Sequence, residues 1–270
     1  MNTTLGVLGQ GAVGRALAGR LTACSREVHA ADRAGREKVY EHEPEVLFLA
    51  LTRGTECLDQ LDALPWAPRT IVDLTTQSPD SADGCARAAA ARGIAYHGGG
   101  LTGGGRELAA GRGVLLLGAA PDPHGELAAL LGDLGRVIGF PHAREAARAK
   151  LLHNFVLLTQ QWAAALALLE VGPEQAATLV EVLASGTAGR PVRQWSIVRD
   201  AAGEPCSTYL ARLAAKDLEE IAAGLPALSA AAGPALELLA ARLRAAPEAA
   251  FTRALLTLTD RALASPQQEA

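Results

Sequence analysis

In the first half of the chain, short apolar runs alternate with segments in which apolar residues recur every three or four positions. The runs predict strands, because a strand buried on both faces of a parallel sheet is apolar along its whole length. The predicted strands cover residues 4–8, 27–31, 46–51, 70–74, 94–97, 114–117 and 136–138. The segments between them predict helices, and the alternation indicates a doubly wound α/β domain with a parallel sheet.

The longest helical pattern covers residues 143–171, which contain neither Gly nor Pro. Six large apolar residues recur in it at steps of three and four: Leu151, Phe155, Leu158, Trp162, Leu166 and Leu169. This spacing places them on one face of a helix about 43 Å long. Gly172 and Pro173 are expected to end this helix. Further apolar periods predict helices at 174–185, 209–224, 226–232, 233–245 and 251–263, and therefore an all-α C-terminal part.

The pattern thus predicts an α/β domain at residues 1–142, an interdomain helix at 143–171 and a helical domain at 172–270. With 49% hydrophobic residues, 20% charged residues and a net charge of −4, we expect a soluble protein that binds neither nucleic acid nor membranes. Four scattered cysteines without a CxxC pair suggest neither a metal site nor disulfides. Because no apolar run reaches the roughly 18 residues of a membrane span and the N-terminus lacks a signal-peptide pattern, we expect a cytoplasmic location.

The first predicted strand runs directly into Gly9-Gln10-Gly11-Ala12-Val13-Gly14, and a helical period follows. In this arrangement Gly9 permits the tight turn, Gly11 lets a pyrophosphate approach the backbone, and Gly14 allows helix and strand to pack closely. The helix N-terminus offers N–H groups to the anion. Asp32 ends the second strand, twenty-three residues after Gly9, where a carboxylate accepts hydrogen bonds from the adenosine ribose. These features predict a dinucleotide site in a Rossmann domain.

The residue after Asp32 leaves the choice of cofactor open. Asp32 would repel the 2′-phosphate of NADP, whereas the guanidinium of Arg33 could bind that phosphate and stack on the adenine. NAD and NADP are therefore both expected cofactors. Because ligands of doubly wound sheets bind beyond the carboxyl ends of the strands, we expect Leu51, Thr52 and Thr76 to line the cofactor channel.

Six glycines fall within the eight residues 98–105, between two predicted strands. This composition predicts a loop, since glycine weakens regular elements and permits positive φ. Successive backbone N–H groups of such a loop can bind an anion, and the hydroxyl of Thr102 could donate a hydrogen bond to a substrate carboxylate. A flexible linker is the alternative, disfavoured because strands on both sides would hold the ends of the loop.

Two polar residues, Lys150 and Asn154, interrupt the apolar pattern of the long helix. They are four positions apart and project from the same helix face, so an ammonium and an amide could contact one ligand there. The alternative is an exposed surface pair, which is the commoner situation for such residues on a helix.

Five stretches together resemble the β-hydroxyacid dehydrogenase family, the group similar to 3-hydroxyisobutyrate dehydrogenase and related to 6-phosphogluconate dehydrogenase. The first is the turn at residues 9–14, and the second, DLTTQSP at 73–79, is similar to the family's cofactor-loop motif. Residues 98–104 fall at the place of its substrate motif, Asp-Ala-Pro-Val-Ser-Gly-Gly, and AKLLHN at 149–154 is similar to the start of its catalytic helix. Tyr209 precedes the Asp of Lys216-Asp217-Leu218 by eight positions, as in a further family signature. The order and spacing of these motifs agree over nearly the whole chain.

The resemblance implies an NAD(P)-dependent oxidoreductase that transfers a hydride between nicotinamide and the β-hydroxyl or carbonyl carbon of a small hydroxy acid. It implies that Lys150 is the general acid/base and that Asn154 helps to hold the substrate. Burial lowers the pKa of a Lys amine, so such a group can exchange a proton with the substrate oxygen near neutral pH. The remaining residues that it implies are Thr102, Gly103, Gly104 and Tyr209 for the substrate, and Thr76 and Lys216 for the cofactor. The nucleotide turn and the strand ends add the other expected cofactor residues: Gly9, Gln10, Gly11, Ala12, Val13, Asp32, Arg33, Leu51 and Thr52. The resemblance also implies a homodimer or homotetramer formed through the helical domains.

The substrate motif departs from the family pattern. Gly98 and Gly100 replace the family's Asp and Pro, Thr102 replaces its Ser, and His153 replaces the first Asn of an Asn-Asn pair. We expect the altered pocket to fit a bulkier or less acidic substrate. Imine reductases, which resemble this architecture but generally lack the Lys, are the first alternative, with NADPH as cofactor. A non-catalytic nucleotide-binding scaffold is the second.

Overall fold

The computed structural model describes residues 3–32, 34–122, 124–185 and 207–244. Contacts between Cα atoms divide the chain into two compact units, Met1–Leu151 and Leu152–Ala270. The division falls within the segment predicted as an interdomain helix. The organisation into three segments stays a prediction.

The described residues of the first unit form a seven-stranded sheet with helices between the strands. The strands are β1 (Leu5–Leu8), β2 (Val28–Ala31), β3 (Val46–Leu49), β4 (Thr70–Asp73), β5 (Ala95–Thr102), β6 (Gly113–Gly118) and β7 (Gly135–Phe140). The helices are α1 (Ala12–Ala23), α2 (Glu37–Tyr40), α3 (Gly54–Ala63), α4 (Pro79–Ala91), α5 (Gly104–Ala109) and α6 (Glu126–Gly132). The strand order β2-β1-β3-β4-β5-β6-β7, parallel from β2 to β5, confirms the doubly wound α/β fold.

Strand β5 differs most from the prediction. Its first half, residues 95–98, pairs in parallel with β4, and its second half, residues 99–102, pairs antiparallel with β6. The predicted loop at 98–105 is therefore wrong, because its first five residues are strand and Gly104 begins α5. Hydrogen bonds to neighbouring strands hold residues 98–102 in the sheet despite the low strand propensity of their glycines. The antiparallel direction of β6 was not predicted, since an apolar run carries no information on strand direction.

Both faces of the central strands β1, β3 and β4 are buried, as the apolar runs predicted, whereas the edge strands β2 and β7 are partly exposed. On β3, Phe48 belongs to one core cluster together with Leu5, whereas Leu47 and Leu49 belong to a second cluster together with Ile71. Successive side chains of a strand point to opposite faces, so one apolar strand supplies both clusters. Each fully buried Leu or Phe contributes about 1.5–3 kcal/mol. The two clusters therefore hold the strand ends, from which the candidate site residues follow, in fixed positions.

Helix α7 (Ala143–Ser185) begins in the first unit and continues into the second. The predicted end at Gly172 and Pro173 is wrong, because the helix continues through both residues. A proline inside a helix costs about 3 kcal/mol, but helix formation is cooperative and helical residues on both sides can carry the helix through one such position.

Two further helices of the second unit are described, α8 (Ser207–Gly224) and α9 (Pro226–Arg244). They pack on each other, and their buried residues include Leu218, Ile221, Leu236 and Leu239. The break predicted between 232 and 233 is wrong, because α9 contains Pro234 and is continuous. The helix predicted at 251–263 lies outside the described residues. The described residues of the second unit, 152–185 and 207–244, are helical apart from the break between α8 and α9, as expected for the C-terminal part.

In the part of the chain that the structure describes, no helix combines the length and the apolar character that crossing a membrane requires.

Candidate functional site

The turn between β1 and α1 has the steric features that its glycines predict. Gly9 has a φ of +104°, which favours glycine. A Cβ added to Gly9 would overlap the carbonyl oxygen of Ala50, and one added to Gly14 would overlap the carbonyl oxygen of Gly9. Helix α1 can therefore start directly against the ends of β1 and β3. Gly11, the N-cap residue, is extended, and no side chain caps the helix.

This arrangement fits the phosphates of a dinucleotide. An uncapped helix N-terminus presents backbone N–H groups and the positive end of the helix dipole, both of which attract an anion. Gly11 and Ala12 are exposed there, Val13 is half-buried, and the side-chain Nε2 of Gln10 donates to the carbonyl of Gly9 at 3.2 Å. The five residues predicted for this turn thus lie together at the start of α1.

A cavity beside Gly9 brings three predicted residues, Gly9 among them, together with four that were not predicted. It is lined by Leu8, Gly9, Asp32, Leu51, Glu56, Asp59 and Gln60. Oδ1 of Asp32 accepts hydrogen bonds from the backbone N–H groups of Ala34 and Gly35, at 3.1 and 3.0 Å. Asp32 therefore also stabilises the turn that follows β2. Arg33 lies outside the described residues.

Helix α3 supplies three of the cavity residues that sequence reasoning missed, and two of them, Glu56 and Asp59, carry carboxylates. Oε2 of Glu56 accepts a hydrogen bond from the backbone N–H of Thr52, an exposed residue after β3, at 3.1 Å. With Asp32, the described lining of the cavity contains three carboxylates and no basic side chain. This end of the candidate site is therefore acidic.

A buried hydrogen-bond network holds the loop after β4. The fully buried Asp73 accepts from the backbone N–H of Thr75 at 2.9 Å, from Nε2 of Gln77 at 2.9 Å and from the hydroxyl of Tyr96 at 2.7 Å. The hydroxyl of Thr75 in turn accepts from the backbone N–H of Leu51 at 3.0 Å. The half-buried Thr76 lies between Thr75 and Gln77, so the network fixes the backbone of a predicted cofactor residue. Burial, and next the charge of Asp73, raise the pKa of Tyr96 well above 10.0. The hydroxyl of Tyr96 therefore stays protonated and can donate its hydrogen bond to Asp73.

Two buried thiols adjoin this network and predict a loss of stability in alkali. Burial, and next Asp73, raise the pKa of Cys57 well above the ordinary 9.0 and that of Cys85 to about 12. Above pH 9.0 the unfolded chain releases these protons while the folded chain keeps them. The contribution of these thiols to the free energy of unfolding is thus fully present below pH 9.0 and decreases as the pH rises towards 12. Urea unfolding at neutral pH and about pH 10 should show a smaller fall for Cys57→Ala and Cys85→Ala than for the wild type.

Cys24, a free cysteine that is only partly buried, provides the control for this measurement. Its replacement by Ala should leave the alkaline fall of the wild type unchanged. Equal falls in all four proteins would show that the buried thiols do not cause the pH dependence.

Lys150, the predicted general acid/base, is buried on α7, with 8% of its surface exposed. Its side chain lies against β5, because a Cβ added to Gly100 would be only 2.9 Å from Cγ of Lys150. Thr102 ends β5 and is half-buried. Gly103 and Gly104 follow with φ of +90° and +68°. The backbone of Gly99 to Thr102 pairs with β6, so the anion nest predicted for residues 98–105 is not formed over that stretch.

In the second unit, Asn154 and Lys216 both contact Asp217, and all three are buried. Nδ2 of Asn154 donates to Oδ2 of Asp217 at 2.7 Å, and Nζ of Lys216 forms an ion pair with Oδ1 at 2.8 Å. The sequence predicts no role in the site for Asp217, the middle residue of the Lys-Asp-Leu motif. The structure indicates one, since its carboxylate orients the amide of Asn154 and pairs with the ammonium of Lys216. Tyr209 falls in the first turn of α8.

Comparison with solved structures finds the same fold in several oxidoreductases. A 3-hydroxyisobutyrate dehydrogenase of Mycobacterium tuberculosis, solved with L-serine, has a TM-score of 0.67 at 21% identity, covering 96% of this chain and 99% of that one. The 3-hydroxyisobutyrate dehydrogenase of Salmonella typhimurium has a TM-score of 0.73 at 16% identity, with 94% and 99% covered. A reductive aminase of Aspergillus terreus, solved with NADPH and ethyl levulinate, has a TM-score of 0.58 at 22% identity, with 96% and 99% covered.

At these identities the likeness shows the fold, over nearly the whole length of each chain. No protein-family profile and no curated protein sequence matches the chain.

Proposed function

We propose that this chain is an NAD(P)-dependent oxidoreductase acting on the β-hydroxyl group, or the corresponding carbonyl, of a small hydroxy acid or related metabolite. The observation that carries the proposal is the buried Lys150 in the same compact unit as the uncapped Gly9–Gly14 turn. An ordinary surface pair of Lys and Asn would leave the Lys exposed. The names of the two similar dehydrogenases support the same reaction class.

The proposed chemistry divides between cofactor and protein. A bound nicotinamide supplies or accepts the hydride. The Gly9–Gly14 turn would bind the pyrophosphate and Asp32 the adenosine ribose, with Leu51, Thr52 and Thr76 beside the cofactor. Lys150 would hold or release the proton on the substrate oxygen, because a change between hydroxyl and carbonyl moves one proton together with the hydride.

The assignments that rest on the resemblance stay predictions. In these assignments the substrate contacts Thr102, Gly103, Gly104, Tyr209 and Asn154, and the cofactor contacts Lys216. The hydrogen bond from Asn154 to Asp217 supports the substrate-binding role of Asn154, since an amide held in one orientation is suited to orienting a ligand. The homodimer or homotetramer and the cytoplasmic location likewise stay predictions from the sequence.

An imine reductase is the second candidate, favoured by the likeness to the reductive aminase solved with NADPH. The two candidate functions can be distinguished by following the change in absorbance as NADH and NADPH are formed or consumed. The substrates are 3-hydroxy acids, their oxo forms and cyclic imines. Turnover of a hydroxy or oxo acid supports the first function, and turnover of imines alone supports the second. Tight cofactor binding without any turnover would support the scaffold instead.

The acidic cavity predicts which cofactor binds more tightly. The 2′-phosphate of NADP adds nearly two negative charges, and Asp32, Glu56 and Asp59 would repel it in a cavity whose described lining has no basic residue. We expect NADH to bind at least about tenfold more tightly than NADPH, equivalent to about 1.4 kcal/mol. Replacing Glu56 with Gln and Asp59 with Asn should narrow this ratio in fluorescence titrations of the two cofactors.

Asp62→Asn, on the same helix but exposed and outside the cavity, is the matched control and should leave the ratio unchanged. Tighter binding of NADPH by the wild type, lost selectively in Arg33→Ala, would contradict this prediction and assign the 2′-phosphate to Arg33.

A further inference from the structure

The glycines of β5 provide space for three particular side chains. A Cβ added to Gly98 would lie 2.6 Å from Cζ of Tyr96, and one added to Gly99 would lie 2.5 Å from Cβ of Ala146. At Gly100 the added Cβ would lie 2.9 Å from Cγ and 3.3 Å from Cδ of Lys150. Real Cβ atoms are not found at such distances from carbon. The three glycines form a surface without side chains, which we call the glycine shelf (Gly98–Gly100).

The glycine shelf cannot move away from the residues that lie on it. Gly98 pairs with Asp73 of β4, while Gly99 and Gly100 pair with Leu117 and Leu116 of β6. A strand held by hydrogen bonds to its neighbours shifts only at the cost of that pairing. A side chain added at position 100 would therefore displace Lys150 rather than the strand, whereas one added at position 99 would also overlap the carbonyl oxygen of Leu116.

Helix α7 lies on the shelf through one of its faces. Ala146 and Lys150 are four residues apart and thus on the same face, one turn apart. Ala146 lies over Gly99 and the stem of Lys150 lies over Gly100. Because neither glycine has a side chain, helix and strand approach closely and the methylene groups of Lys150 run along the strand.

We propose that Gly100 is a positioning residue for Lys150: by leaving room for its Cγ and Cδ atoms, Gly100 sets where the ammonium is held. The inference rests on the proposed role of Lys150 in proton transfer. A methyl group at position 100 forces the stem of Lys150 to turn and moves the ammonium, since the strand beneath is held. A displacement of about 1 Å at a catalytic group lowers the rate about 100-fold.

Gly100 also has a φ of +142°, so an Ala there is strained whatever the space. Gly135 is the matched control, because it has a φ of +141° and is crowded by the backbone of Gly113 instead of by Lys150. Both substitutions destabilise the fold through strain and crowding, and only the one at position 100 disturbs Lys150.

The first test compares steady-state kinetics of Gly100→Ala and Gly135→Ala. For Gly100→Ala we expect kcat to fall about 100-fold while the KM for cofactor is unchanged, and for Gly135→Ala the kcat of the folded protein should stay near that of the wild type. Equal kcat values in the two variants, alongside an inactive Lys150→Ala, would overturn the inference. Full activity of Lys150→Ala would instead overturn the proposed function.

The second test measures the contact itself and does not require Gly100→Ala to be active. In urea unfolding, Gly100→Ala should shift the midpoint less in a Lys150→Ala background than in the wild type, because removing Cγ and Cδ relieves the crowding. Gly135→Ala should shift the midpoint equally in both backgrounds. Equal shifts for Gly100→Ala in the two backgrounds would contradict the proposed contact.

Discussion

Replacing Lys150 with Ala is expected to lower kcat by about 10²–10⁴-fold, the usual contribution of one general acid/base. The truncation removes the ammonium group of the side chain that lies against Gly100. Cofactor affinity should remain close to that of the wild type, because the Gly9–Gly14 turn and the acidic cavity are unaltered. Steady-state kinetics and cofactor titrations of the purified variant measure the two quantities separately.

Arg148→Ala is the control, since Arg148 lies two residues earlier on the same helix and is exposed. It should retain wild-type kinetics. Unchanged turnover of a hydroxy acid by Lys150→Ala would remove Lys150 from the mechanism. Imine reduction that survives the substitution would favour the reductase alternative.

Replacing Asp73 with Ala is expected to lower the free energy of unfolding by about 3 kcal/mol or more. The substitution leaves three buried donors, on Thr75, Gln77 and Tyr96, without their acceptor, and each such group costs about 1–3 kcal/mol. Cofactor binding should weaken as well, because Thr76 lies in the loop that this network fixes. Urea unfolding and cofactor titration measure the two effects.

A graded variant and a surface control accompany this measurement. Tyr96→Phe removes the hydrogen bond that Tyr96 donates to Asp73 and the longer one that it accepts from Gln77, and should cost about 1–2 kcal/mol. Asp122→Ala removes an exposed carboxylate that accepts from the backbone N–H of His124, and should change stability by at most about 0.5 kcal/mol. If Asp73→Ala were as stable as Asp122→Ala, the network would not hold the loop.

The fold and the nucleotide turn could be predicted because their signals are local. The apolar runs have the length of buried strands, and the steric demands of Gly9 and Gly14 lie within a few residues of each other along the chain. The start of α7 was correct for the same reason. Its end was not, since the local penalty of Gly172 and Pro173 does not determine whether a cooperative helix continues.

The glycine run at 98–105 shows where composition misleads. Its glycines indicated a loop, but two of them lie against neighbours far along the chain: Gly99 against Ala146, and Gly100 against Lys150, which follows fifty positions later. One signal was present. On a strand, residues two apart share a face, so reading residues 95–102 as a strand would have put Tyr96 beside Gly98.

The same contact explains one departure from the family motif. Gly98 replaces the Asp of the dehydrogenase pattern, and the ring of Tyr96 occupies the space that a side chain at position 98 would need. The acidic residues of α3 could not be predicted in a similar way, because Glu56 and Asp59 reach the cavity only through the orientation of that helix against β3.

The proposed function requires this chain to transfer a hydride from a nicotinamide to a carbonyl carbon. Isotope transfer tests this step: the wild-type protein is incubated with NADH and NADPH deuterated at C4 and with 3-oxo acids and cyclic imines, and deuterium in the products is located by mass spectrometry. We expect one deuterium at the carbinol carbon of a hydroxy acid product, and loss of that product in Lys150→Ala. Bound cofactor with no deuterium in any product, or deuterium in amines alone, would contradict the proposed function.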